Sequence, residues 1–172
     1  MLRLILTSGL ISGLIIITGT IGALTLRGPD VTAAGPALGY GIMVLAMGMI
    51  PWSLRRFRSA RADGSLTFGR GLTLGLGITL VASLIYVALW EVYLAATHYA
   101  FMGQYIEATL AAKRAAGVTG AVYDQLAVQM EAMRQQYANP LWRLPMTFAE
   151  IAPVGLVMSL FSATLMRRKP AA

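Results

Sequence analysis

Cysteine is absent from this 172-residue chain, and histidine occurs once, as His98. The first absence excludes disulfides, thiolate metal sites and cysteine nucleophiles. A single histidine with no cysteine gives too few ligands for a zinc site, so no metal or cofactor is predicted. Charge is also scarce: 12% of residues are charged and 57% are hydrophobic, which is not the balance of a soluble domain.

Long charge-free stretches dominate what remains. A bilayer core needs roughly 20 apolar residues of helix, and only helices satisfy their own backbone groups at that length. We therefore predict one all-α domain over residues 1–172, an integral membrane four-helix bundle. Its transmembrane helices are predicted at about 4–26, 36–55, 68–96 and 147–168. The first apolar stretch exceeds the usual core of a signal peptide, so we expect it to be retained.

Basic residues concentrate at one set of helix ends. Those ends carry nine basic residues and a single acidic residue, Asp63, whereas the other ends carry five basic and six acidic residues. The nine are Arg3, Arg55, Arg56, Arg58, Arg61, Arg70, Arg167, Arg168 and Lys169. Because positive charge marks the cytoplasmic side, both termini are predicted to be cytoplasmic. The net charge of +7 then indicates contact with membrane lipids, and no nucleic acid is expected as a partner.

The segment of about 97–139 is predicted to form an external antiparallel helical hairpin between the third and fourth membrane helices. The first arm should continue the third membrane helix and stop at Gly117, and the second should run from Thr119 to the Asn139-Pro140 pair. Arms of 20 and 19 residues would rise about 30 Å and return about 28 Å. An apolar stripe follows the second arm at Val122, Leu126, Met130, Met133 and Tyr137. We expect this apolar stripe either to pack on the first arm or to face a second subunit or another partner.

Six residues near the predicted outer interface are candidates for a polar site: Tyr86, Trp90, Glu91, His98, Arg143 and Glu150. Glu91 falls between aromatic residues of an interfacial belt, as a solvated carboxylate or as the partner of Arg27 or Arg143. His98 follows seven residues later, which predicts a shared helical face. Thr147 and Glu150 have the spacing of a capping box, which predicts that the fourth helix starts there.

Glycines recur at spacings that allow close helix contact in lipid. Gly9 and Gly13 lie in the first predicted helix, and Gly71 and Gly75 in the third. The alternatives are packing within the four helices and a seam between two copies.

Several short motifs carry a resemblance to a known family. They are Gly39-Tyr40 through Met43, Thr67-Phe68-Gly69-Arg70-Gly71, Ile85-Tyr86, Tyr137 with Asn139-Pro140, and Met146 to Ile151 with Pro153 to Leu156. With these, residues 36–169 resemble domain-of-unknown-function family 4199, small four-helix membrane proteins of bacteria. The resemblance implies residence in the bacterial inner membrane. It implies no established activity and no catalytic residue.

Three functions fit this pattern. The leading one is a non-enzymatic, oligomeric structural or accessory protein whose hairpin mediates self-association or docks a partner. The second is a small oligomeric transporter or channel, for which Glu91, Glu150 and His98 would have to converge on one path. The third is a membrane enzyme or binder of a lipid-linked substrate, which requires an outer pocket with Arg143 or Arg27 near Glu91. No nucleophile–base pair is recognisable, so the sequence favours a role without catalysis.

Overall fold

A computed structural model describes residues 1–28 and 34–167 of the chain. Over this part the structure is helical, with seven helices. They are α1 (Leu2–Arg27), α2 (Ala34–Met47), α3 (Met49–Ser59), α4 (Phe68–Ala96), α5 (Ala100–Ala115), α6 (Gly120–Ala138) and α7 (Pro140–Met166). Three charged residues that were counted in predicting the membrane orientation, Asp30, Arg168 and Lys169, lie outside the described residues.

Four helical segments are long and apolar enough to cross a membrane: Leu2–Arg27, Gly35–Ser59, Phe68–Ala96 and Pro140–Met166. The second is interrupted at Gly48, where α2 gives way to α3. Pro51 explains the interruption, because proline lacks the N–H that would bond to the carbonyl four residues earlier.

α4 packs most extensively on α1 and α7, and small residues make the close approach possible. A Cβ placed at Gly9 would lie 2.5 Å from the Cβ of Val81, and one at Gly75 would lie 2.7 Å from the Oγ of Ser159. Gly13 abuts α4 and Gly71 abuts α7 in the same way. All four glycines of the sequence prediction therefore contact helices of the same chain.

Buried hydroxyls join the segments that are long and apolar enough to cross a membrane. The Ser53 hydroxyl donates to the Ser8 hydroxyl at 2.8 Å, and the Ser12 hydroxyl donates to the carbonyl of Ala46 at 2.8 Å. In a hydrocarbon environment these bonds satisfy groups that would otherwise lack a partner.

The junction of α4 and α5 differs from the sequence prediction. α4 ends at Ala96, and both His98 and Tyr99 adopt left-handed conformations, with φ of 52° and 57°. The Tyr99 N–H donates to the Leu94 carbonyl at 2.7 Å, which closes the helix end. The prediction that α5 simply continues α4 is wrong, and with it the prediction that Glu91 and His98 share a helical face.

The start of α7 also differs. The side chain of Asn139 accepts a bond from the Leu141 N–H at 3.0 Å, and Pro140 occupies the first helical position. Both features favour a helix start, so α7 begins seven residues before the predicted residue 147. The Thr147 hydroxyl donates to the carbonyl of Arg143 in the helix interior. The prediction of a capping box between Thr147 and Glu150 is therefore wrong.

Candidate functional site

A partly buried ion pair joins α4 to α7. The Nε and Nη2 atoms of Arg143 donate to the two carboxylate oxygens of Glu91, each at 2.7 Å. The Arg143 side chain is 4% exposed and that of Glu91 is 26% exposed. This two-bond geometry matches a planar guanidinium to a carboxylate, and it satisfies two charges that the apolar surroundings would otherwise penalise.

The same guanidinium also fixes the end of α6. Its Nη1 atom donates to the carbonyl of Tyr137 at 2.9 Å. The rings of Tyr99 and Tyr137 lie against it, with centroids 5.1 and 5.7 Å from the guanidinium carbon. Arg143 therefore ties together the end of α4, the start of α5, the end of α6 and the start of α7.

Trp90 is the centre of an aromatic cluster beside this ion pair. Its indole N–H donates to the Tyr137 hydroxyl at 2.8 Å, and Phe101 packs edge-on at a centroid distance of 5.0 Å. Tyr86 and Tyr93 stack on its other sides at 6.1 and 5.2 Å. Burial raises the pKa of Tyr137, so its hydroxyl keeps a proton while accepting the bond from Trp90.

A partly open cavity of about 370 Å³ lies next to the cluster. Five aromatic residues, four methionines and one carboxyl group line most of it, and every described helix except α3 contributes. The lining is Thr20, Leu24, Gly39, Met43, Tyr86, Trp90, Phe101, Met102, Tyr105, Met133, Tyr137, Met146 and Glu150. Glu150 is the single charged residue in this lining.

The six predicted site residues separate into three places. Glu91, Arg143 and Trp90 meet at the ion pair and its aromatic neighbours, and Tyr86 and Glu150 line the cavity. His98 is exposed in the turn between α4 and α5. Of the two partners considered for Glu91, the structure gives Arg143; Arg27 lies at the end of α1 beside a different cavity.

Transport along a polar path required the carboxylates and His98 to converge. Glu91 does not line the cavity that contains Glu150, and its carboxylate is occupied by Arg143. The geometry therefore gives the transport alternative no support. Among the described residues, no three histidine, aspartate or glutamate side chains come close enough to hold a metal ion.

Sequence reasoning missed several residues of this region, notably Tyr99, Phe101 and Tyr105. Their signal was available, because all three are aromatic and follow the end of an apolar span, where aromatic residues gather. The sequence did not predict the turn at Tyr99, after which residues of α5 line the cavity.

A protein-family model described as a protein of unknown function (DUF4199) matches residues 7–168 of the chain. The chain belongs to the DUF4199 family. The match extends the resemblance of residues 36–169 into α1, so the first helix is part of the family pattern. No curated protein and no solved structure is similar enough to this DUF4199 chain to be matched.

Proposed function

We propose that this DUF4199 protein is a non-enzymatic membrane protein that binds an amphipathic cation in the cavity lined by Glu150. The observation that carries the proposal is a lone carboxyl group among aromatic and methionine side chains. The third interpretation of the sequence was a membrane enzyme or binder of a lipid-linked substrate; this proposal keeps its outer pocket and changes the ligand to a cation.

An ionisable side chain within a membrane span is costly and points to function. Three ion pairs join described residues, and none includes Glu150. A cation in the cavity would supply the missing partner. The aromatic rings around it attract cations through their faces, and methionine side chains adapt to ligands of variable shape.

Tetraphenylphosphonium and tetraphenylborate test the proposal, because they share a shape and carry opposite charges. With the protein in lipid nanodiscs, and after subtraction of the binding to empty nanodiscs, equilibrium dialysis should show saturable binding of the phosphonium and no protein-dependent binding of the borate. Glu150→Gln should weaken phosphonium binding about tenfold, as expected for the loss of a contact of about 1.4 kcal/mol.

Glu107→Gln is the matched control, since Glu107 is exposed on α5 and lies outside this cavity lining. It should leave the affinity unchanged. Equal binding of the two ions would overturn the proposal, and so would unchanged phosphonium affinity in a folded Glu150→Gln protein.

The proposal includes a location: the bacterial inner membrane, crossed four times, with both termini cytoplasmic and the α5–α6 segment in the periplasm as a helical hairpin. The asymmetry of the basic residues supports this orientation. The chain has no cysteine, so single substitutions report accessibility without background. In intact cells, an impermeant maleimide should label Ala132→Cys on α6 and spare Ala60→Cys after α3; the reverse pattern would refute the orientation.

Self-association through α5 and α6 is a second candidate. Neither helix has a buried residue, and Val122, at the start of the apolar stripe of α6, is 66% exposed. The stripe is thus incompletely covered within one chain, which favours a second copy as the cover. Val122→Lys should lower the molar mass measured by light scattering in detergent, whereas Ala121→Lys should not. A wild-type mass of one chain at all concentrations would exclude this role.

A further inference from the structure

We propose that a groove between α1 and α3 is a binding site for an anionic phospholipid. The groove has a volume of about 650 Å³ and lies at the opposite end of the membrane-spanning helices from the Glu150 cavity. It is formed where the start of α1 passes the end of α3. The site is independent of the cation site proposed above.

Three arginines surround the mouth of the groove: Arg3 from α1, Arg56 from α3, and Arg61 just after α3. Arg61 is paired with Asp63 at 3.2 Å, an exposed contact. The ion pairs of the described residues include neither Arg3 nor Arg56. No acidic side chain lines the groove, so its mouth carries an uncompensated positive charge. That charge is complementary to a phosphate.

Arg56 is also held in place. Its guanidinium carbon lies 5.3 Å from the centroid of the Trp52 ring, a cation–π contact that restricts the side chain. Such stacking leaves the edge of the guanidinium available for hydrogen bonds, and two bonds from one guanidinium to a phosphate are common in proteins.

The groove becomes apolar away from its mouth. Leu4 and Ile11 line it along α1, and Ile11 lies eight residues beyond Arg3, about 12 Å deeper at 1.5 Å per residue. On the α3 side, Trp52 lines the groove. The Ser53 hydroxyl donates to the hydroxyl of Ser8, which also lines the groove. A phosphate at the arginines would therefore place an acyl chain along α1.

The groove has positively charged residues at its mouth and apolar residues deeper inside. This arrangement matches a phospholipid and not a free phosphate. Basic pockets between membrane helices recognise anionic headgroups in this way. Two ligand sources share the phosphate chemistry, so the test includes both. Phosphatidylglycerol supplies the phosphate with acyl chains, glycerol phosphate supplies the phosphate alone, and phosphatidylcholine supplies the acyl chains with a neutral headgroup.

The measurement is the midpoint of thermal unfolding, followed during titration of the full chain in neutral maltoside detergent. Phosphatidylglycerol should raise the midpoint and saturate, since a ligand that binds the native state stabilises it. Phosphatidylcholine and glycerol phosphate should not. The double substitution Arg3→Gln with Arg56→Gln should weaken the apparent affinity for phosphatidylglycerol by roughly thirtyfold.

Arg55→Gln with Arg70→Gln is the matched control, because both arginines are exposed and neither lines the groove. It removes the same charge and should leave the affinity within about twofold of wild type, given an independent site. If the double variant at Arg3 and Arg56 fails to fold, Arg56→Gln alone decides, with an expected loss of about fivefold.

Three results would overturn the proposal. The first is unchanged affinity for phosphatidylglycerol in the folded groove variant. The second is equal stabilisation by phosphatidylcholine, which would show that charge is not recognised. The third is equal stabilisation by glycerol phosphate, which would identify a site for soluble phosphate.

Discussion

Removing either member of the Glu91–Arg143 pair should destabilise the protein, and by unequal amounts. Breaking a buried ion pair at one side typically costs about 3–5 kcal/mol. The Arg143 side chain is 4% exposed, and a guanidinium does not lose its charge in a protein. Glu91→Leu should therefore lie within this range, at about 4 kcal/mol, because it leaves that charge buried without a carboxylate.

Arg143→Met should cost less, about 2–3 kcal/mol. Glu91 is 26% exposed, so its carboxylate regains part of its hydration when the arginine is removed. The double substitution of both residues should lose less than either single one, since apolar side chains of similar size often replace a buried pair with little cost. The carbonyl of Tyr137 also loses its bond in this variant, which keeps the double change from being neutral.

The assay is reversible unfolding in mixed micelles, followed by tryptophan fluorescence, with free energies extrapolated to zero denaturant. The exposed pair of Glu131 and Arg134 provides the control, since it has the same chemistry in water. Glu131→Leu should have no measurable effect. Losses in the Glu91 and Arg143 double variant equal to the sum of the single losses would refute a coupled pair.

Other regions give sharper local tests. Gly75→Ala should destabilise by about 1–3 kcal/mol, because its Cβ would meet α7 at 2.7 Å, whereas Gly69→Ala, with nothing within 4 Å, should not. Tyr137→Phe should cost about 1–2 kcal/mol by leaving the buried indole N–H of Trp90 without an acceptor, measured by the same unfolding assay. Hydrogen bonds from Ser65 and Arg61 lower the pKa of Asp63 well below its usual value. The stability that Asp63 contributes to its turn is therefore complete above about pH 4 and declines as the pH falls further, which amide exchange in this turn should detect.

Much of the helical organisation could be predicted because its signals are local. Hydrophobicity over about 20 residues identifies a span without any knowledge of its neighbours. The end of α6 at Asn139-Pro140 is equally local, since a capping side chain and a proline act within one turn. Asn139 and Pro140 also begin α7. The sequence supports a helix start at these two residues as well as it supports the start predicted at Thr147.

The candidate site could be predicted only in part, because its partners are far apart in sequence. Glu91 and Arg143 are 52 positions apart, and their pairing depends on how α7 passes α4. The turn at His98 and Tyr99 contains no glycine, and histidine alone is a weak signal of the left-handed backbone that both residues adopt. Tyr99 is held in this conformation where its ring contacts Arg143, a contact that exists only in the folded chain.

The two acidic residues nearest the predicted outer membrane surface have opposite electrostatic surroundings. Glu91 receives two short bonds from Arg143, so that pair contributes no net charge to its neighbourhood. The guanidinium of Arg143 beside Tyr137 is thereby paired, and the adjoining cavity contains the carboxyl group of Glu150. Glu150 is exposed at this partly open cavity, and none of the ion pairs among the described residues includes it. On the cation-binding proposal, a ligand would give Glu150 the partner that Arg143 gives Glu91.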